Sequence, residues 1–76
     1  MGSWNKEEIT MFYESYRNQG KDWKKVAADV GTKTIDMVKS FYHLNWAYLS
    51  LPSGLTSVAG LIATMERRGI FLVGFE

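Results

Sequence analysis

Asp36, Ser40 and His43 are the residues whose types and spacing come nearest to chemistry. At about 3.6 residues per turn they fall on one helix face. An acid, a hydroxyl and an imidazole on one face suggest nucleophilic catalysis, but nothing nearby in the chain orients a nucleophile or builds an oxyanion hole. His43 is the single histidine and cysteine is absent, so the chain offers neither a His-based metal cluster nor a thiolate site. Glu7 and Glu8 are adjacent and do not converge; a role at a helix start explains them better. Residues 54–60 contain two glycines, but no Gly-Lys-Ser/Thr follows, so they form no phosphate loop. Lys21-Asp22-Trp23-Lys24-Lys25 mimics a basic-aromatic patch, yet Trp23 is needed in the core. Arg67-Arg68 is too short for a nuclear signal. These residues therefore offer no evident site for catalysis, a cofactor or a small-molecule substrate.

Four helical segments must position these residues. Asn5 caps the first, with Glu8 three residues on completing a capping box. Trp4 and Ile9 have the spacing of a hydrophobic staple. Ile9, Phe12, Tyr13 and Tyr16 follow helical periodicity up to a stop at Gly20. Asp22 caps a second helix carrying Trp23, Val26, Ala27 and Val30, closed by Gly31. Thr34 caps a third, with Val38, Phe41, Tyr42 and Asn45 as its inner stripe. Opposite that stripe lie Asp36, Lys39, Ser40 and His43, which are therefore expected to face solvent. Leu51-Pro52-Ser53-Gly54 breaks the pattern. A further helix is expected near 56–67, capped by Thr56 or Ser57 and bearing Val58, Leu61, Ile62 and Met65. The tail at 70–75 is apolar, without a usable period, and is an aggregation hazard if exposed.

Seventy-six residues suffice for one domain. Hydrophobic residues at 46% against 22% charged give a globular composition, and a net charge of +1 argues against a basic nucleic-acid-binding arm while leaving room for a local patch. The longest near-apolar stretch without charge, 44–65, is interrupted by Asn45, Pro52, Gly54 and several hydroxyl residues, so no membrane span is expected. Without disulfides, so small a domain depends on its aromatic core or on partners.

Aromatics make up 14% of the chain, and Trp4, Trp23 and Tyr42 recur at intervals of 19 residues, one per helical unit. A large ring buries on the order of 150–250 Å², which at about 25 cal/mol per Å² gives roughly 4–6 kcal/mol gross before entropy is subtracted. The expected core is Trp4, Phe12, Tyr16, Trp23, Val26, Val38, Phe41 and Tyr42.

These residues carry a resemblance. Trp4-x-x-Glu7-Glu8, Tyr13, Tyr16, Gly20-Lys21-Asp22-Trp23-Lys24-Lys25-Val26-Ala27, Val30-Gly31, Lys33-Thr34 and Val38-Lys39-Ser40-Phe41-Tyr42 resemble a SANT/Myb-like domain. Ile35-Asp36-Met37-Val38, Asn45-Trp46-Ala47-Tyr48-Leu49-Ser50-Leu51-Pro52 and Thr56-Ser57-Val58-Ala59-Gly60-Leu61-Ile62-Ala63 are similar to the plant Always Early family, subunits of MuvB/DREAM-type transcription complexes. The resemblance implies an all-α, homeodomain-like bundle of the helix-turn-helix type over 4–48, with 49–76 as an extension. Beyond Met65 the chain departs from the family pattern, which suggests a fragment or a shortened gene product.

By resemblance, the third helix is the recognition element. Asp36, Lys39 and Ser40 match base-reading positions, His43 lies one turn on, and Lys33 completes the expected face, with Lys21, Lys24 and Lys25 as further cations. Three readings stay open for this face: a solvated surface, a contact for chromatin or transcription-complex proteins (histone tails included), and direct readout of double-stranded DNA. Lys39 suits phosphate or guanine, whereas Asp36 takes a cytosine amino group but is repelled by phosphate. That balance favours the protein-contacting reading. The family also implies a nuclear, non-catalytic transcription or chromatin regulator. Trp46, Tyr48, Leu49 and Leu51 are expected to form a second apolar surface, for the last helix or for another subunit.

Overall fold

The computed structural model describes residues 3–67, and the apolar tail at 70–75 lies outside them. The longer helices begin where a side chain takes over an orphan N–H group. Asn5 Oδ1 accepts from the Glu8 N–H at 2.8 Å while Glu8 Oε1 accepts from the Asn5 N–H at 2.9 Å, so the capping box opens α1 (Lys6–Gln19). Asp22 accepts from the Lys25 N–H at the start of α2 (Trp23–Val30), and Thr34 Oγ1 accepts from the Met37 N–H at 3.1 Å at the start of α3 (Ile35–Leu44). The first two helices end at Gly20 (φ 65°) and Gly31 (φ 83°), left-handed positions that side-chain-bearing residues rarely adopt.

A single further turn, α4 (Trp46–Leu49), follows α3, and a 3₁₀ turn at Ser53–Leu55 leads to α5 (Val58–Arg67). Of the two expected caps for α5, Ser57 does the work: its Oγ accepts from the Gly60 N–H at 3.0 Å. Tyr48 Oη accepts from the Ser57 N–H at 2.9 Å, which ties α4 to this helix start. The approach is so close that a Cβ at position 60 would lie 2.0 Å from that phenol oxygen, and Gly60 leaves the space.

The chain is all-α among the described residues, a helix-turn-helix bundle with α5 packed against α1 and α4. The expected core residues Trp4, Phe12, Val26, Val38, Phe41 and Tyr42 are buried, with Tyr16 and Trp23 half-buried against them. Leu49, Leu61 and Met65, beyond residue 48, are fully buried in the same cluster, so the last helix closes the core that the first three leave open.

Phe12 lies at the centre of the aromatic network. Trp4 meets it edge-on at 5.9 Å and Phe41 at 4.8 Å, while Tyr16 and Trp23 lie nearly parallel to it at 6.0 and 6.4 Å. Trp4 in turn stacks on Phe41 at 4.1 Å, and Trp23 tilts against Tyr42 at 4.9 Å. The three evenly spaced rings thus do not meet at one point: Trp23 meets Tyr42, and Trp4 meets the residue before it.

Polar links then fix the helices in register. The Ser15 hydroxyl, buried on the inner side of α1, donates to Asp29 Oδ2 at 2.7 Å on α2. The second carboxylate oxygen of Glu8 accepts from Lys33 Nζ at 3.0 Å and from the Thr32 hydroxyl, which fastens the α2–α3 turn to the start of α1. Burial pushes the Glu8 carboxyl up, but the Thr32 hydroxyl, the Asn5 N–H and the Lys33 ammonium outweigh it and hold the group below its ordinary value of 4.5.

Phe12→Ala removes the ring shared by three helices and is expected to cost about 3–5 kcal/mol, a large part of the stability of a domain this small. Circular-dichroism melting should show a largely unfolded or strongly destabilised variant. Glu8 supplies stability that is fully present above about pH 4.5 and is lost as the pH falls through its lower native value. Glu8→Gln should cost about 1–3 kcal/mol at pH 7. In urea titrations the gap from the parent chain should narrow markedly at pH 3.

Candidate recognition surface on the third helix

Helical periodicity divides α3 cleanly. Val38, Phe41 and Tyr42 turn inward, together with Asn45 at the helix end, while Asp36, Lys39, Ser40 and His43 are exposed along the outer side. Asp36 stands in the first turn, where a carboxylate complements the helix dipole. Among the described residues, the Asp36, Lys39 and Ser40 side chains have no hydrogen-bond or ion-pair partner, so their polar groups are hydrated and free to be offered elsewhere. His43 packs edge-on to Tyr42 at 5.5 Å. Lys21, from the turn between α1 and α2, places its ammonium 5.5 Å from the centre of the same Tyr42 ring. The buried phenol thus orients an imidazole and a cation near the C-terminal half of α3.

Lys33 does not stand with these residues. Its side chain is only 8% exposed, held by Glu8 and lying with its ammonium 5.2 Å from the centre of the Trp4 ring. A cation expected on the recognition face is spent on bracing α1 against the α2–α3 turn. The first half of that brace was legible as a capping box. The second half was not, because Glu8 and Lys33 are far apart in sequence and only the folded bundle brings them together.

The surface is therefore short and electrically mixed. It offers one carboxylate acceptor, one ammonium donor, a hydroxyl that both donates and accepts, and an imidazole. Among the described residues no three His, Cys, Asp or Glu side chains converge on a metal-sized site. The same residues contain no helix long and apolar enough to cross a membrane.

The expected second apolar surface is only partly at the surface. Leu49 is buried, and Tyr48 is half-buried with its hydroxyl engaged by Ser57. Trp46 (55% exposed) and Leu51 remain outside, as do Leu44 and Leu55 (70% exposed). Of the two partners expected for this surface, the last helix takes Leu49: α4 is a single turn packed against α5, and Leu49 joins Leu61 and Met65 in the core.

A node that the sequence did not reveal lies on α1. The Arg17 guanidinium sits 5.0 and 5.3 Å from the centres of the Tyr13 and Tyr16 rings, and its Nη2 donates to the Thr56 hydroxyl at 2.6 Å. The Tyr13 hydroxyl shares a 2.7 Å hydrogen bond with the same Thr56 oxygen. Burial raises the Tyr13 phenol, but the Thr56 bond and the Arg17 guanidinium outweigh it and hold the phenol below its ordinary value. In the sequence nothing marks Arg17 beyond its helical position one turn after Tyr13.

Comparison with known proteins gives this arrangement its place. Residues 1–45 match the model of the Myb-like DNA-binding domain. The chain is 48% identical to Protein ALWAYS EARLY 2 of Arabidopsis thaliana over 63 residues, 82% of this chain and 6% of that protein. It is 52% identical to Protein ALWAYS EARLY 1 of the same plant over 74 residues, 96% of this chain and 8% of that protein. The chain thus spans less than a tenth of the length of either relative. No solved structure matches it significantly. With more than half of its residues in the family match, all three bundle helices among them, the chain belongs to the Myb-like DNA-binding domain family.

Proposed function

We propose that this chain is a non-catalytic, protein-contacting domain of the SANT type, acting in a nuclear transcription or chromatin complex of the MuvB/DREAM class. One observation carries the reading: Asp36 and Lys39 are exposed together on α3 while Lys33, which would have tipped the balance, is bound to Glu8. A surface with one acid and one base pairs with complementary charges on a folded partner or a histone tail. It gives little net attraction to a polyphosphate backbone, which supplies much of the affinity of DNA-binding domains. The similarity to the Always Early proteins supports a place in transcription-related assemblies, and hence in the nucleus.

Direct reading of double-stranded DNA is the second reading. The family match favours it, together with the exposed Lys39 and the exposed Lys21, Lys24 and Lys25 at the beginning of α2. Specific single modules bury roughly 600–1,000 Å² on DNA, and so short a face would need a neighbouring module to reach that.

Fluorescence anisotropy with a labelled duplex at 50 and 200 mM salt separates the two readings. A face that touches three or four phosphates loses affinity by about 40- to 150-fold over that interval, because each contact releases counterions. The protein-contacting reading expects no saturable binding at tens of micromolar in low salt, and steep salt-sensitive binding overturns it. Charge changes make a sharper pair of tests. Asp36→Asn removes a repulsive carboxylate and tightens any complex with DNA, whereas on a protein-contacting face it removes a contact and loosens the complex. Lys39→Glu weakens both. Opposite signs for the Asp36 variant on duplex DNA and on histone-tail peptides identify which partner the face serves.

A further inference from the structure

The loop between α4 and α5 carries four hydroxyl residues, and their surroundings differ: Ser50, at its start, is exposed and donates to the Ala47 carbonyl at 3.2 Å. Ser53 lies in the exposed 3₁₀ turn. Ser57 is committed to capping, its Oγ accepting from the Gly60 N–H. Thr56 is half-buried and faces α1, where its Oγ1 lies 2.6 Å from Arg17 Nη2 and 2.7 Å from the Tyr13 hydroxyl. It also donates to the Ser53 carbonyl at 3.2 Å.

Arg17 is unusual in what it lacks. Among the described residues its guanidinium has no carboxylate partner. Its Nε is buried with no acceptor, a state that normally costs free energy. Two tyrosine rings hold the group in place beside the Thr56 and Tyr13 hydroxyls, which are neutral and leave its charge unbalanced. Thr56 also stands one residue before the cap of α5, where the helix dipole favours negative charge.

We propose that Thr56 is a phosphorylation site whose phosphate is captured within the chain by Arg17. In the modification a protein kinase transfers the terminal phosphoryl group of a nucleoside triphosphate. The Thr56 Oγ1–phosphorus bond forms, the bond to the nucleoside diphosphate leaving group breaks, and the hydroxyl proton passes to the kinase's base. Residues 50–55 and 57 are exposed, so local opening of this loop presents Thr56 without unfolding the bundle. On reclosure the phosphate gives Arg17 the acceptors it lacks, in the forked geometry that guanidinium groups favour. The Tyr13 hydroxyl, already at the Thr56 oxygen, donates to it as well. The modification thereby clamps the α4–α5 loop to α1, strengthening the attachment of the helix that closes the core.

The test uses the whole chain, prepared by chemical synthesis with phosphothreonine at 56. A free phosphomonoester has its second ionisation near pH 6. In a ³¹P NMR titration the captured phosphate should ionise at least half a unit lower, with Arg17→Gln returning it to about 6 and Arg17→Lys falling between. Phosphorylation should raise the melting temperature of the parent chain by about 4–8 °C and leave that of the Arg17→Gln chain unchanged or lowered. A phosphate that titrates alike in the parent and Arg17→Gln chains overturns capture. Mass spectrometry of the protein isolated from its own cells with phosphatases inhibited should place phosphate on Thr56. Phosphate confined to Ser50, Ser53 or Ser57, or absent from all four, overturns the assignment of the site.

Discussion

The ring of Phe12 is the point at which three helices meet. It contacts Trp4 ahead of α1, Tyr16 on α1, Trp23 on α2 and Phe41 on α3, so each helix position is fixed by reference to one residue of the first. Edge-on contacts on one side and parallel contacts on the other suit the quadrupoles of the rings and leave little freedom to slide. In a domain of this size, with no disulfide and no metal cluster among its described residues, such a shared contact does the work that a large core does elsewhere. The orientation of α3, and with it the identity of the exposed residues, follows from where Phe41 and Tyr42 must sit against that ring system.

Electrostatics divide the lysines into two classes. Lys33 is held inside the structure, paired with Glu8 and close to the Trp4 ring, and its charge stabilises the fold. Lys39 stands outside with no partner among the described residues, and its charge is available for recognition. Asp36 stands exposed on the same helix face, so the two opposite charges largely offset each other there.

The last helix changes the character of the bundle. Leu49, Leu61 and Met65 are buried with the three-helix core, and Tyr48 and Arg17 add polar ties to the loop that leads into α5. The extension is thereby part of the domain's stability as well as its continuation. Trp46, Leu51 and Leu55 are left at the surface near that junction.

Local rules determined much of this in the sequence alone. Asn5, Asp22 and Thr34 cap helices, and Gly20 and Gly31 stop them, because these effects reach no further than a turn. The inner stripe of α3 and the exposure of Asp36, Lys39, Ser40 and His43 follow from helical period in the same way. Lys33, Leu49 and Arg17 were beyond such rules. Each has a role set by a residue distant in the chain, Glu8 for the first, α5 for the second and Thr56 for the third, and only tertiary packing brings those partners within bonding distance. A lysine bound to a distant carboxylate and a lysine in water have the same local sequence signature. Which cations stand exposed beside α3 was therefore fixed only when the bundle closed.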